Sequence, residues 1–354
     1  MLFQKPGKKG TPVLDRDKKK SLLIGAAVFL ALTTVLVIFV RHLDADIFTV
    51  LKETKPSFLL LLLLCGALSH LPDFFLWRMS LSEIGPSLGV FDAFAVTVLQ
   101  VFGRTVLLPG GALSVQSYYL SRQGVMAGRS ASVGTLLYSS EKFSVLLYAL
   151  VLLLVNLKTV RTLPPAAVGF IPFGFFMCLV IISGLVLICT SKRVCRGVIR
   201  LIGKLPSGGK WPKRKETWCA HIRALRQESA EFLREKKRLV WVLLWNLCRT
   251  VFFCTVPYLV VRIMGIPGHS FLEMETLSAL MFLLAHSLPN IAGMGAPEFS
   301  FLLIFTEVLQ ADAAAAMIYY RCATYYFPFL ISLILLIPVR CRFRAHAVEK
   351  AAGT

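Results

Sequence analysis

Several ionisable side chains lie inside or beside apolar stretches of this chain, where a charge is costly unless it is paired or hydrated. They are Arg104, Glu141, Lys142, Arg249, Glu298 and Arg321. Cations at membrane depth can bind an anion such as phosphate, and carboxylates there can balance that charge or carry a proton. The alternative is that the opposite charges, such as Glu141 with Arg321 or Arg249, only pair to hold helices together. Both interpretations require polar contacts within an apolar protein.

Two apolar stretches, 91–120 and 271–309, are interrupted by glycine and proline. The predicted turn residues are Pro109, Gly110, Gly111, Pro289, Gly293, Gly295 and Pro297. Backbone of this kind is tolerated at membrane depth only where protein or a water-filled cavity surrounds it. Helix N-termini at the turns would also present N–H groups to an anion. For any single glycine, a tight packing turn is an equally good interpretation.

The other apolar stretches are long enough to cross a bilayer, which takes roughly 17–25 residues. Hydrophobic residues make up 56% of the 354 and charged residues only 16%, whereas soluble domains carry about a quarter charged residues. The predicted spans are 21–40, 57–77, 130–157, 164–190, 239–263 and 313–339. We therefore expect an all-α integral membrane protein with about six full spans and two re-entrant or broken helical hairpins. If both arms of a hairpin cross fully, the count rises to eight helices or more.

The net charge of +20 is concentrated in clusters that flank the apolar stretches, in residues 1–20, 192–238 and 341–354. This distribution is the positive-inside signature of cytoplasmic segments, and it also attracts anionic headgroups. It argues against nucleic acid as a partner. We predict a basic cytoplasmic tail (1–20), a single transmembrane domain (21–340) with a cytoplasmic loop, and a second cytoplasmic tail. We place the protein in the plasma membrane, the inner membrane of a bacterium.

An internal repeat connects the two interrupted stretches. At an offset of 180 to 184 residues, Pro109 aligns with Pro289, and the neighbouring glycines also match. The repeat units are 57–157 and 239–339, each consisting of a span, a hairpin and a span. Because one span links them, the second unit is predicted to be inverted relative to the first. Inverted repeats with broken helices near the midplane are a recurring transporter design.

Catalytic, metal and cofactor motifs are not found in the sequence. The nine cysteines contain no C-x-x-C pair, the six histidines no H-x-x-x-H pair, and the chain has no G-x-x-x-x-G-K-[ST] phosphate loop. These spacings are the usual signatures of metal and nucleotide sites. We therefore predict no cofactor, no metal and no catalytic residues, and we do not expect an enzyme.

The sequence resembles the flippase-like family typified by the transmembrane domain of lysylphosphatidylglycerol synthase. That family has a P-x-x-G-G-x-G-x-x-E stretch followed by Y-R-x-x-T-Y-x-x-P. The matching segments here are LPNIAGMGAPE (288–298), YYRCATYYFP (319–328), LPG (108–110) and Glu141-Lys142. The resemblance covers about residues 20 to 340. The chain is expected to be a stand-alone membrane domain, without the synthase's aminoacyl-transferase domain, so that activity is not implied.

One departure from the family concerns the stretch after the first Pro-Gly turn. Family members often carry an acidic residue and an arginine there, whereas residues 110–116 of this chain carry no charge. Gln116 stands where the arginine is expected. The second half keeps Glu298 and Arg321, and we therefore expect the substrate contacts mainly in that half.

Together these features predict a lipid flippase that moves a polar or anionic headgroup through a polar groove at the midplane, between the inverted repeats. In this hypothesis Arg321 and Arg249 bind phosphate, Glu298 and Glu141 balance them or carry a proton, and the expected partners are anionic membrane phospholipids. The further predicted groove residues are Arg104, Lys142 and Gln116. The alternatives are an integral-membrane transferase on a lipid-linked substrate, with His286 and Glu298 as base and acid, a secondary transporter of another solute, or a non-transporting scaffold.

Overall fold

The computed structural model describes residues 54–84, 88–106, 111–161, 163–204, 235–289 and 293–352, together with residues 34 and 52 and parts of 215–227. Apart from residue 34, the predicted first span 21–40 lies outside the described residues. The turn residues Pro109 and Gly110 also lie outside them.

The described part of the chain is helical and contains no β-strand. Its helices are α1 (Pro56–Leu68), α2 (Leu71–Ile84), α3 (Val90–Val106), α4 (Gly111–Arg122), α5 (Ala127–Val155), α6 (Leu157–Val160), α7 (Pro165–Thr190), α8 (Lys192–Gly203), α9 (Lys236–Ile263), α10 (Phe271–Ser287), α11 (Ala296–Leu309), α12 (Ala313–Arg321) and α13 (Phe327–Ala352). The helical stretches long and apolar enough to cross a membrane are Pro56–Leu81, Gly128–Val155, Pro165–Ile188, Lys236–Ile263 and Ala296–Val339. The all-α integral membrane fold is therefore confirmed, while the number of full crossings stays a prediction.

The predicted span 57–77 is divided into two helices. α1 ends at Leu68 and α2 begins at Leu71. Pro72 explains the break, because proline has no N–H to donate to the carbonyl of Leu68 and its ring crowds the preceding turn. The Ser69 hydroxyl donates to the Gly66 carbonyl at 2.7 Å and satisfies part of the end of α1. Asp73 lies in the first turn of α2 and is buried.

Each interrupted stretch forms a pair of helices that pack against each other, α3 with α4 and α10 with α11. In the first pair the helices meet at Gly103, where a Cβ would lie 2.8 Å from the Cα of Ala112. In the second pair Gly293 and Gly295 adopt φ values of 77° and 97°, in the left-handed region that glycine tolerates best. The order of span, hairpin and span is thus the same in both repeat units, and their inverted orientation stays a prediction.

The last predicted span, 313–339, is also irregular, which was not predicted from its sequence. A π-helical turn, Cys322–Tyr326, separates α12 from α13. Pro328 is the second residue of α13, and a proline that cannot donate to the preceding turn favours this wider winding. The turn packs against α1, where a Cβ on Gly66 would collide with the carbonyl oxygen of Ala323. The irregular segment is therefore held by close contact with the first repeat unit.

The helix α10 lies at the centre of the protein. All residues from Met274 to Ala285 are buried, because α5, α7, α9 and α11 pack around it. A helix that is apolar and buried on every side belongs to the interior of a bundle. Any polar group on α10 must therefore find its hydrogen bonds within the protein.

Candidate functional site

A cavity of about 520 Å³ lies where the two repeat units meet. Its walls come from α2, α3, α4, α5, α9, α10 and α12, and both hairpins contribute, through Gly111 and Gln116 in the first and Gly293 and Pro297 in the second. The volume falls within the range of about 300–1,000 Å³ that is usual for ligand pockets. The charged side chains in its lining are Asp73, Arg104, Glu141, Lys142, Arg249 and Arg321.

The structure brings the predicted groove residues together. Those that line the cavity are Arg104, Gln116, Glu141, Lys142, Arg249 and Arg321. Glu298 does not line it but forms an ion pair with Arg321. Of the predicted turn residues that the structure describes, Gly111, Gly293 and Pro297 line the cavity, and Pro289 and Gly295 do not.

One ion-pair cluster, which we call the Arg249 cluster, consists of Asp73, Glu141, Arg249 and His286. Arg249 Nη1 lies 2.7 Å from Glu141 Oε1, and its Nε lies 3.3 Å from Asp73 Oδ1. Three helices, α2, α5 and α9, supply these charges, and all three side chains are buried. Glu141 therefore pairs with Arg249 and not with Arg321, and one guanidinium serves two carboxylates.

Two residues here, Asp73 of the Arg249 cluster and its neighbour His70, were not among the predicted site residues. His70 Nδ1 lies 3.3 Å from Asp73 Oδ2. Asp73 lies within a predicted apolar span, and the rule that singled out Glu141 applies to it equally. The cost of a charge at membrane depth was thus a signal that could have identified it.

Both ring nitrogens of His286 lie near hydrogen-bond acceptors. Its Nδ1 lies 2.9 Å from the Phe282 carbonyl oxygen, and its Nε2 lies 3.1 Å from Glu141 Oε1. A carbonyl and an ionised carboxylate both only accept, whereas a neutral imidazole has one N–H. A neutral His286 can therefore donate to only one of these two acceptors. Both contacts are hydrogen bonds only if His286 and Glu141 together hold one additional proton. The contact between His286 and Glu141 is therefore a hydrogen bond only when a proton lies between Nε2 and Oε1.

A second ion pair lies at the tip of the second hairpin. Arg321 Nε lies 2.7 Å from Glu298 Oε1, and Arg321 Nη2 donates to the Gly293 carbonyl at 2.9 Å. Glu298 is in the first turn of α11 and accepts from the Gly295 N–H at 2.7 Å, a capping contact that an N-terminal carboxylate favours. Arg321 also stacks over the ring of Tyr325, 4.2 Å from its centroid. The hairpin tip is thereby tied to α12.

Lys142 and Arg104 are the cavity cations that pair with no carboxylate among the described residues. Lys142 is buried, donates to the His286 carbonyl and lies 5.1 Å from the centroid of the Tyr138 ring. Arg104 lies in the last turn of α3, beside the first hairpin turn, and is exposed. The Lys142 ammonium group and the Arg104 guanidinium group could therefore both bind an anion in the cavity.

The charges of the cavity and its ion pairs do not cancel. Four cations stand against three carboxylates. They are Arg104, Lys142, Arg249 and Arg321, with Asp73, Glu141 and Glu298. A partly enclosed space with an excess of positive charge attracts anions, and low-dielectric walls strengthen the effect. The arrangement suits a phosphate or another singly charged anionic group.

Gln116, which replaces the arginine expected from the resemblance, is held in a neutral hydrogen-bond network. It donates to Gln100 Oε1 at 2.9 Å and is 3.3 Å from the Val96 carbonyl. Trp77 Nε1 donates to the same oxygen of Gln100 at 2.9 Å. These three side chains are polar but uncharged. Asn246, which donates to Ser140 Oγ at 3.0 Å, adds a further amide to the lining.

Comparison with protein families identifies one match. The family model described as the lysylphosphatidylglycerol synthase TM region matches residues 22–332. No curated protein matches the chain. The match covers most of the chain and includes every charged residue of the cavity, and it associates the protein with a lipid-related function in a membrane.

Proposed function

We propose that this protein, which belongs to the family of the lysylphosphatidylglycerol synthase transmembrane region, is a lipid translocase that moves an anionic phospholipid headgroup through the cavity between its repeat units. The observation that carries the proposal is the excess of cations in that cavity. The acyl chains of the lipid would remain outside, against the apolar outer surfaces of the helices. Family membership supports a lipid substrate rather than a water-soluble one.

The structure changes the roles that we assign to the arginines. Arg249 and Arg321 already have carboxylate partners at 2.7 Å, so we assign them to holding the cavity walls in place and to its positive potential. Within the described residues, Lys142 and Arg104 have no carboxylate to release before they bind phosphate, and they are our candidates for direct contact. Both lie in the first repeat unit, so this proposal moves the principal contacts away from the second.

The transferase alternative receives no support from the contacts of its proposed residues. His286 contacts Glu141 and the Phe282 carbonyl, whereas Glu298 contacts Arg321 and the Gly295 N–H. Each of the two groups is therefore engaged with a different partner. Transport of a soluble anion remains the competing function, because a phosphate on a lipid and a free phosphate share the same charged group.

Reconstitution into liposomes tests the proposal. The purified protein should accelerate the loss of inner-leaflet fluorescence when a quencher is added outside, and a fluorescent anionic phospholipid should respond more than a zwitterionic one. Liposomes without protein and liposomes with heat-denatured protein provide the controls. Uptake of labelled inorganic phosphate without lipid movement would instead establish a solute transporter, and no movement of either would refute the proposal.

We also propose that the two termini and the loop 192–238 face the cytoplasm of a bacterial cell. Support comes from α8, which presents Lys192, Arg193, Arg196 and Arg200 as exposed side chains, the bias expected of cytoplasmic segments.

Cysteine labelling should verify this topology. In a cysteine-free background, Lys204→Cys should react with a membrane-impermeant maleimide only after the cells are permeabilised, because it lies at the end of α8. Pro267→Cys, between α9 and α10, should react in intact cells, since α9 crosses the bilayer from the loop side. The reverse pattern would refute the orientation, and the cysteine-free parent provides the background.

A further inference from the structure

Glu275 is a buried carboxyl group that lies outside the cavity. It is on α10, its residue is 2% exposed, and it is absent from the cavity lining. Within the described part of the chain it forms no ion pair. Burying an ionised carboxylate without a cation carries a desolvation cost that the neutral acid largely avoids. The location alone therefore favours a group that holds its proton.

The hydrogen bonds of Glu275 lead to the same assignment. Tyr148 donates its hydroxyl to Glu275 Oε1 at 2.6 Å. Thr255 Oγ1 lies 3.3 Å from Glu275 Oε2, but it also donates to the Val251 carbonyl at 2.9 Å. A hydroxyl has one proton and two acceptor lone pairs. When the Thr255 hydroxyl donates its proton to the closer Val251 carbonyl, its oxygen can still accept a hydrogen bond from Glu275. That hydrogen bond forms when Glu275 Oε2 carries a proton.

The groups that face Glu275 come from its neighbouring helices. α5 contributes the Tyr148 hydroxyl, and α9 contributes Thr255 and the thiol of Cys254. α7 and α11 also pack against α10, but neither they nor any other described element brings a cation to this carboxyl group. Glu273, two residues away on α10, is directed to His269 at 3.6 Å. Tyr148, Thr255 and Glu275 thus form a neutral cluster, which we call the Glu275 cluster.

The Glu275 cluster and the cavity occupy opposite ends of α10. Glu275 follows Phe271, the first residue of the helix, by about 6 Å along the axis, and His286 is a further 16 Å away, at about 1.5 Å per residue. Their separation is close to three full turns, so both lie on one face of α10. The helices α5 and α9 supply the partners of Glu275, and they also supply the Glu141–Arg249 ion pair beside His286. A change at one end can thus be transmitted by helices that line the other.

We propose that Glu275 is a proton-binding site through which a proton gradient drives the translocation of the anionic headgroup. The inference rests on the proposed translocase function. In the binding step a proton from water forms an O–H bond with a Glu275 carboxylate oxygen, and the same bond breaks when the proton returns to water on the other side. A headgroup with one negative charge and one proton together move no net charge across the membrane, which avoids the cost of carrying a charge through it. Proton and lipid therefore move in the same direction.

A pH gradient across proteoliposomes tests this coupling. The anionic lipid should accumulate in the leaflet that faces the alkaline compartment, up to about tenfold for a gradient of one pH unit and one proton per lipid, since one pH unit is a factor of ten in proton activity. With Glu275→Gln, which keeps the size and most hydrogen bonds of the side chain, the two leaflets should stay equal. Glu273→Gln is the matched control on the same helix and should accumulate lipid like the wild type.

The outcomes separate this inference from the proposed function. If the wild-type protein moves lipid but the leaflets stay equal, or if Glu275→Gln still accumulates lipid, proton coupling through Glu275 is refuted while the translocase stands. Accumulation on the acidic side would also refute it.

A spectroscopic measurement tests the site without any transport. The infrared carbonyl band of a protonated carboxylic acid should be present in the wild-type protein and in Glu273→Gln, and it should be reduced in Glu275→Gln. An unchanged band in Glu275→Gln would show that Glu275 holds no proton. This measurement still decides the proton-binding site if the protein moves no lipid.

Discussion

Replacing Arg249 by methionine will strongly destabilise the folded protein. Arg249 is the cation partner of Asp73 and Glu141, and all three side chains are buried. The substitution roughly keeps the side-chain volume but leaves two carboxylates facing each other away from water. Removing one partner of a buried ion pair costs about 3–5 kcal/mol, because the remaining charge is uncompensated. We expect a loss of this size in the free energy of unfolding, measured by denaturant titration in detergent micelles.

Two comparisons decide whether this cost comes from the buried charges. Arg262→Met makes the same change at the exposed end of α9, and surface substitutions usually change stability by less than about 0.5 kcal/mol. The triple variant Asp73→Asn, Glu141→Gln and Arg249→Met removes all three charges and should recover most of the lost stability. If Arg249→Met is as stable as Arg262→Met, the Arg249 cluster does not hold α2, α5 and α9 together.

Replacing Lys142 by methionine will slow the translocation of anionic lipids far more than that of zwitterionic ones. A hydrogen bond to a charged group contributes about 1.5–3 kcal/mol, and each 1.4 kcal/mol is a factor of about ten. Loss of the Lys142 contact to phosphate should thus lower the rate for an anionic lipid by roughly 10- to 100-fold. The measurement is the liposome assay with both lipids. Lys142 donates to the His286 carbonyl and pairs with no carboxylate in the part of the chain that the structure describes. Its removal therefore leaves none of these carboxylates unpaired, and the variant should fold.

Controls for this prediction use the same type of substitution elsewhere. Lys158→Met, at an exposed position on α6, should leave both rates unchanged, and Lys142→Arg should retain most of the activity because it keeps the charge. Arg104→Gln should reproduce part of the defect. An equal loss for both lipids would mean that Lys142 only supports the packing of α5. No loss for either would remove the cavity cations from the proposed mechanism.

The ionisable residues of the cavity could be recognised from the sequence alone. A charged side chain within an apolar span carries a large desolvation cost, and its position in the span is enough to indicate that cost. Arg104, Glu141, Lys142, Arg249 and Arg321 were selected on that ground, and they converge on one cavity. The same reasoning applied to the glycines and prolines predicted two helical hairpins, since an interrupted backbone must be enclosed by protein. Asp73 was overlooked although the rule covers it.

The ion-pair partner of each charged residue could not be predicted, because it depends on which helices pack against each other. Glu141 could equally have paired with Arg321, and only the packing of α5 against α9 assigned it to Arg249. The break at Pro72 and the π-helical turn before Pro328 likewise depend on how the chain relieves a missing hydrogen bond in its tertiary context. The Glu275 cluster could not be predicted from the sequence either, since its three members come from separate helices.

The sequence by itself thus determined that the protein is an all-α membrane protein with interrupted hairpins and charges at depth, because apolar length, backbone interruption and the cost of charge are local properties. The tertiary structure decided which charges neutralise one another and which do not. It paired Arg249 and Arg321 with carboxylates and, among the described residues, left Lys142 and Arg104 without them. That difference arises from side-chain distances between helices far apart in the chain, and it directs the proposed headgroup contact to the first repeat unit.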